Sequence, residues 1–196
     1  LTEYPDNVPA LATYYLVSKQ GNKQAAGIEK IQSAFDREPS NFAVRLLLAR
    51  AQVVETNYQD AIELLTEVKD QKDLPKAYWK TLGQSFIKSN QLRPATQHYD
   101  AWLTEEPNDK DATIGKLLLL DSQNKFVEAS ELTQNYLKNR DDVQMQLLST
   151  HFLLMQGDYP AAQIIYDSLP DNVLDLPLVK GFLARFQIQN DQPELA

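Results

Sequence analysis

Cysteine is absent from the 196 residues. That removes disulfides, thiolate metal sites and thiol nucleophiles, and it leaves oxidising and reducing compartments equally open. Histidine is nearly absent: His98 and His151 are the two present, and they stand too far apart for a zinc-type pair on one helix. The six glycines are widely dispersed, so no glycine-rich phosphate loop can form, and no calcium loop is present either. Long apolar runs are missing as well. The stretches Leu117 to Leu120 and Phe152 to Met155 fall far below the ~20 residues that span a bilayer, so no direct membrane insertion is expected. Leu1 to Pro5 carry neither a basic nor a long apolar stretch, so no signal or transit peptide is visible. Basic residues are outnumbered, 19 Lys and Arg against 27 Asp and Glu, for a net charge of −8. Such a field repels polyanions, so nucleic acid is not an expected partner.

What is present is a globular composition, 43% hydrophobic and 23% charged, arranged with a long period. A column of small residues runs Gly27, Ala61, Ala95, Ala129, Ala162 and Ala196, at spacings of 34, 34, 34, 33 and 34. Three positions before each stands a larger side chain, Gln24, Tyr58, Leu92, Phe126, Tyr159 and Pro193. Four positions after come Ile31, Leu65, Tyr99, Thr133 and Tyr166. A small side chain lets two helix backbones approach, and bulky residues one turn away fill the space beside the contact. A period near 34 residues therefore predicts stacked helix-turn-helix units rather than one closed core.

Turn chemistry follows the same register. Within units it falls at Gly21-Asn22, Thr56-Asn57, Ser89-Asn90, Gln123-Asn124 and Gly157-Asp158, where Gly or Asn can adopt the left-handed conformation that ends a helix. Between units stand Glu38-Pro39-Ser40-Asn41, Asp73-Leu74-Pro75, Glu106-Pro107-Asn108-Asp109 and Asn139-Arg140-Asp141-Asp142, with proline to stop a helix and Ser, Asn or Asp to cap the next. The expected units are 8–41, 42–75, 76–109, 110–142 and 143–176, with a tail of a preceding unit at 1–7 and a partial unit at 177–196. They form a single array, and the register at both ends predicts a segment of a longer one. The fourth unit departs most, with Lys116 and Leu117 where the third has Leu82 and Gly83, and Thr133 in a large apolar column. Pro160 falls just inside the second helix of the fifth unit, where the first-turn amide lacks a helical partner anyway.

The third unit carries Trp79, Leu82, Gly83, Phe86, Ala95, Tyr99, Trp102 and Pro107 at offsets 4, 7, 8, 11, 20, 24, 27 and 32 from Lys76. Position by position this resembles the tetratricopeptide-repeat signature, and the resemblance extends over essentially the whole chain. It implies an all-α, right-handed superhelical solenoid of antiparallel helix pairs, without a cofactor and without catalysis of its own. The third unit, the Leu-rich first helices and Gln156-Gly157-Asp158-Tyr159 also resemble bacterial arrays of exopolysaccharide export and the PEP-CTERM sorting system. That narrower resemblance implies a periplasmic or envelope-associated adaptor.

Residues with chemical potential have plain structural uses. His98 sits on a second helix, where a packing role is expected, and His151 on a first helix, where binding is open to it. Neither has a nucleophile or carboxylate at a triad spacing. The acidic pairs Glu105-Glu106, Asp109-Asp111 and Asp141-Asp142 cluster at unit junctions, where negative charge favours the start of the next helix. Most aromatics fall in the packing columns, while Tyr14, Tyr15 and Trp79 lie on first helices and could partly face a groove.

In the resembled family the first helices line a concave groove. Carried onto this sequence, its contact offsets select Leu16 and Lys19; Leu46, Arg50 and Val53; Lys80, Gln84 and Lys88; Ile114, Leu118 and Asp121; Leu147, His151 and Leu154; and Arg185. Apolar anchors beside Arg or Lys suit an extended or helical peptide with an acidic group. The expected function is thus a scaffold for a protein or peptide partner, with self-association open to the ends of the array. Three other readings stay open: a structural spacer within a longer array, a non-catalytic part of a polysaccharide-assembly enzyme, and direct binding of an acidic polysaccharide to the basic stripe.

Overall fold

The computed structural model describes residues 6–189, apart from the side chain of Leu178. Every regular element among them is a helix. The chain divides into two compact units, one ending at Glu105 and the other beginning at Glu106. The first holds α1 (Val8–Gln20), α2 (Gln24–Arg37), α3 (Phe42–Val54), α4 (Tyr58–Thr66), α5 (Lys76–Lys88) and α6 (Leu92–Glu105). The second holds α7 (Lys110–Ser122), α8 (Phe126–Leu137), α9 (Val143–Gln156), α10 (Tyr159–Asp167), the short α11 (Asp171–Leu174) and α12 (Pro177–Gln189). The expected tail at 1–7 falls largely outside the described residues, as does Ala196, the last member of the small-residue column.

Each helix of a pair starts and stops for local reasons. Asn7, Asn41, Asp109, Asp142 and Asp158 accept a hydrogen bond from the amide three residues on, at 2.8 to 3.2 Å, which satisfies one orphan donor of the helix that follows. Two of the acidic residues at unit junctions are thereby accounted for. Asp142 also holds Lys110 Nζ at 2.7 Å. Burial raises the Asp142 carboxyl, but the Lys110 hydrogen bond and the Met145 amide outweigh it and leave the group below its usual range.

The helix-to-helix turns repeat one conformation. Asn22, Thr56, Asn90, Asn124 and Gly157 all take positive φ, between 55° and 86°, and they are spaced 34, 34, 34 and 33 residues apart. In the second turn the residue that adopts this conformation is Thr56, at φ 65°, and not the neighbouring Asn57. Asn57 instead donates its amide to the Gln52 carbonyl at 2.9 Å, so the register sets which residue turns left, whatever its type. A β-branched residue there is strained.

Packing follows the small column. Ala61, Ala95, Ala129 and Ala162 are fully buried, and Gly27 is buried against α1: a Cβ added there would lie 3.0 Å from Tyr15 Cα, a tight contact. Gly83 is tighter still, because a Cβ would fall 2.6 Å from Tyr99 Oη. Leu11, Tyr15, Ile31, Val44 and Leu48 form the core joining the first two pairs. Arg45, almost wholly buried, closes it from below: its guanidinium lies 4.9 Å from the Phe35 ring centre, donates to the carbonyls of Leu64 and Pro39 and pairs with Glu67. In the second unit, Leu117, Met145 and Phe152 anchor one cluster, and Leu153, Tyr166, Val179 and Phe186 another. Thr133, out of pattern in its column, is fully buried and gives its hydroxyl proton to the Ser130 carbonyl at 2.8 Å.

Candidate functional site

In the first unit α1 packs beside α3 and α3 beside α5, so the first helices form a row. Along it opens a cleft of about 290 Å³ lined by Ala12, Tyr15 and Leu16 of α1, Leu47, Arg50, Ala51, Val53 and Val54 of α3, and Thr81 and Gln84 of α5. Leu16 and Val54 are 58% and 50% exposed, so apolar surface faces solvent beside a cation. Among the described residues no carboxylate pairs with Arg50.

One end of the cleft is locked. The Tyr15 hydroxyl donates to Glu55 Oε1 at 2.8 Å, and Lys19 Nζ reaches the same oxygen at 3.2 Å. The Tyr15 hydrogen bond holds the Glu55 carboxyl below its usual range, with help from Lys19. Burial first, then Glu55 itself, pushes the Tyr15 hydroxyl far up. Lys19 is therefore engaged within the fold.

Three of the residues selected from the sequence, Arg50, Val53 and Gln84, line this cleft together with Leu16. Leu46, Lys80 and Lys88 do not line it: Leu46 is half-buried on α3, while Lys80 and Lys88 are exposed on α5. Tyr15 and Trp79, expected partly in a groove, are 5% and 8% exposed. Tyr15 contributes a wall, and Trp79 packs on the other side of α5 against His98 and Trp102. His98 is the packing residue expected, buried with Nε2 donating to the Trp79 carbonyl at 2.8 Å.

The second unit presents a different face. Leu118 of α7 is 57% exposed. His151 Nε2 of α9 lies 3.8 Å from Asp121 Oδ1, and Arg185 of α12 approaches Met155 Sδ at 3.5 Å. Ile114 and Leu147 are half-buried and pack against the two core clusters, so much of their surface is already covered. Leu154 is a correction. At 4% exposure it belongs to the core with Ala162 and Tyr166, because α10 lies against α9 there.

Among the described residues no three His, Asp or Glu side chains converge as a metal site, and no helix is long and apolar enough to cross a membrane. Residues 19–85 match the family described as tetratricopeptide repeat. The whole described fold is likewise similar to solved structures. A tetratricopeptide repeat protein from Parabacteroides merdae superposes with a TM-score of 0.75 at 16% identity, over 94% of this chain and 74% of that one. The fold is that of a tetratricopeptide-repeat array. PilW, a widely conserved type IV pilus biogenesis factor, gives 0.74 at 14% identity over 93% of this chain and 86% of its own. YrrB, a tetratricopeptide-repeat protein with an unusual peptide-binding site, gives 0.65 at 13% identity over 92% and 93%. No curated protein sequence matches this array.

Ala12, Leu47, Ala51, Val54 and Thr81 line the cleft without having been selected. Ala12 and Val54 occupy offsets 5 and 13 of their repeats, which the same offset rule covers, so a signal for them was present. Leu47, Ala51 and Thr81 lie at inward offsets and reach the cleft only because adjacent first helices leave a gap. No periodicity reports that gap.

Proposed function

We propose that this tetratricopeptide-repeat array is a non-catalytic scaffold that binds an extended or helical segment of a protein partner along its first helices. The observation that carries the reading is the cleft between α1, α3 and α5, where exposed Leu16 and Val54 flank an Arg50 that no carboxylate among the described residues pairs with. A volume of about 290 Å³ accommodates one or two apolar side chains, and a guanidinium at the rim favours a carboxylate nearby in the ligand. The array's role belongs, on the narrower bacterial resemblance, in an envelope or export assembly.

Selection of peptides from a displayed random library on the 196-residue chain tests this directly. Selected sequences are expected to combine an aliphatic anchor with an acidic residue. Their affinity should fall about tenfold or more for Arg50→Glu, with helicity unchanged by circular dichroism. Failure to select any sequence, or selected peptides that bind the variant equally well, would favour a spacer.

A further inference from the structure

Two methionines are present in the chain, and the structure gives them opposite surroundings. Met145, in the first turn of α9, is fully buried in a cluster with Leu117 and Phe152. Met155, in the last turn of the same helix, is 39% exposed. A thioether is oxidised at its sulfur, so the oxidant must reach that atom. Met155 meets solvent in the folded chain, whereas Met145 is reached only after local opening. No cysteine competes for the same oxidant.

The neighbour of Met155 decides what oxidation does there. Arg185 of α12 places Nη1 3.5 Å from Met155 Sδ. Among the described residues no carboxylate pairs with that guanidinium, and Asp175 is taken by Lys180 at 3.2 Å. His151 stands one turn before Met155 but is turned to Asp121, 3.8 Å from its Oδ1, which leaves Arg185 as the donor at the sulfur. A thioether is a weak acceptor, so this contact adds little to the apolar core shared by Leu153 and Leu154 of α9 with Val179, Phe182 and Phe186 of α12.

We propose that Met155 is a modification site for a peroxide and that Arg185 captures the sulfoxide formed there. In the step, a lone pair on Sδ takes one oxygen of hydrogen peroxide and the O–O bond breaks. The proton of the transferred hydroxyl goes to the departing hydroxide, which leaves as water; sulfur is oxidised and the peroxide reduced. The product carries a strongly dipolar S–O group, and its oxygen replaces sulfur as the acceptor. A weak N–H···S contact becomes a charge-assisted N–H···O hydrogen bond, so oxidation fastens α12 to α9. The device is separate from the first-helix cleft and stands or falls without it.

The 196-residue chain treated with dilute hydrogen peroxide supplies the test. Fragment-ion mass spectrometry should place the added oxygen on Met155 about tenfold or more faster than on Met145. Amide hydrogen exchange of α12 should then slow about threefold or more. Arg185→Ala should still be oxidised at Met155 and should lose the slowing; Arg185 is exposed, so the fold survives. Met155→Leu, apolar and of similar size, should leave exchange in α12 indifferent to peroxide. Oxidation of both methionines at one rate would overturn the assignment, as would α12 exchange that is unchanged or faster after oxidation. The same slowing in Arg185→Ala or in Met155→Leu would overturn it too.

Discussion

The hydroxyl of Tyr15 on α1 donates to Oε1 of Glu55, the residue that follows α3, across 2.8 Å. One phenol thus ties the first helix of one repeat to the end of the first helix of the next and fixes one end of the cleft. Tyr15→Phe should leave packing intact and cost about 1 kcal/mol. The Glu55 carboxyl is held low in the folded state, so its contribution is present above the ordinary carboxylate range and lost as pH falls through the folded value. Urea unfolding at pH 7 and at pH 4 checks this: the difference between wild type and Tyr15→Phe should shrink at the lower pH.

Thr56 holds a left-handed turn at φ 65°, a position filled by Asn in three equivalent turns and by Gly in the fourth. Thr56→Asn or Thr56→Gly should raise stability by about 1 kcal/mol, read as a higher urea midpoint with unchanged slope. A loss of stability would show that Thr56 contributes a contact outweighing its strain.

Gly83 of α5 packs directly against Tyr99 of α6. Gly83→Ala would place Cβ 2.6 Å from Tyr99 Oη and 2.7 Å from Tyr99 Cζ, which should cost about 1 to 3 kcal/mol. Tyr99→Phe removes the oxygen and keeps Cζ, so it should rescue poorly. Tyr99→Leu in the Gly83→Ala background should cost less than the sum of the single changes. Thermal melts of the four variants decide it.

Burial holds the His98 imidazole below its ordinary value, so the unfolded chain takes up a proton that the folded chain refuses. Its stabilising contribution is whole above about pH 6.5 and declines as pH falls through the folded pKa. Denaturant midpoints from pH 7.5 to 5 should fall for wild type and fall less for His98→Gln. Parallel curves would mean that His98 is protonated without cost.

The sequence carried the fold because its register is written in packing. A helix pair needs a small residue at its crossing and a left-handed residue at its turn, and both recur every 33 or 34 residues. The choice of Thr56 over Asn57 shows that this register outranks residue preference. The site was legible in part. Arg50, Val53 and Gln84 were found because first-helix offsets report direction, whereas Leu154 was misplaced because the same offset meets α10 in its own repeat.

In the proposed complex the partner lies in the cleft between α1, α3 and α5. A photoreactive benzoylphenylalanine placed at Val54, 50% exposed at the cleft, and separately at Ile164, 72% exposed on α10, should be irradiated with a selected peptide. Cross-linking from position 54 that is competed by unlabelled peptide, with none from position 164, is the predicted result. Equal cross-linking from both positions, or cross-linking from 164 alone, would contradict the account.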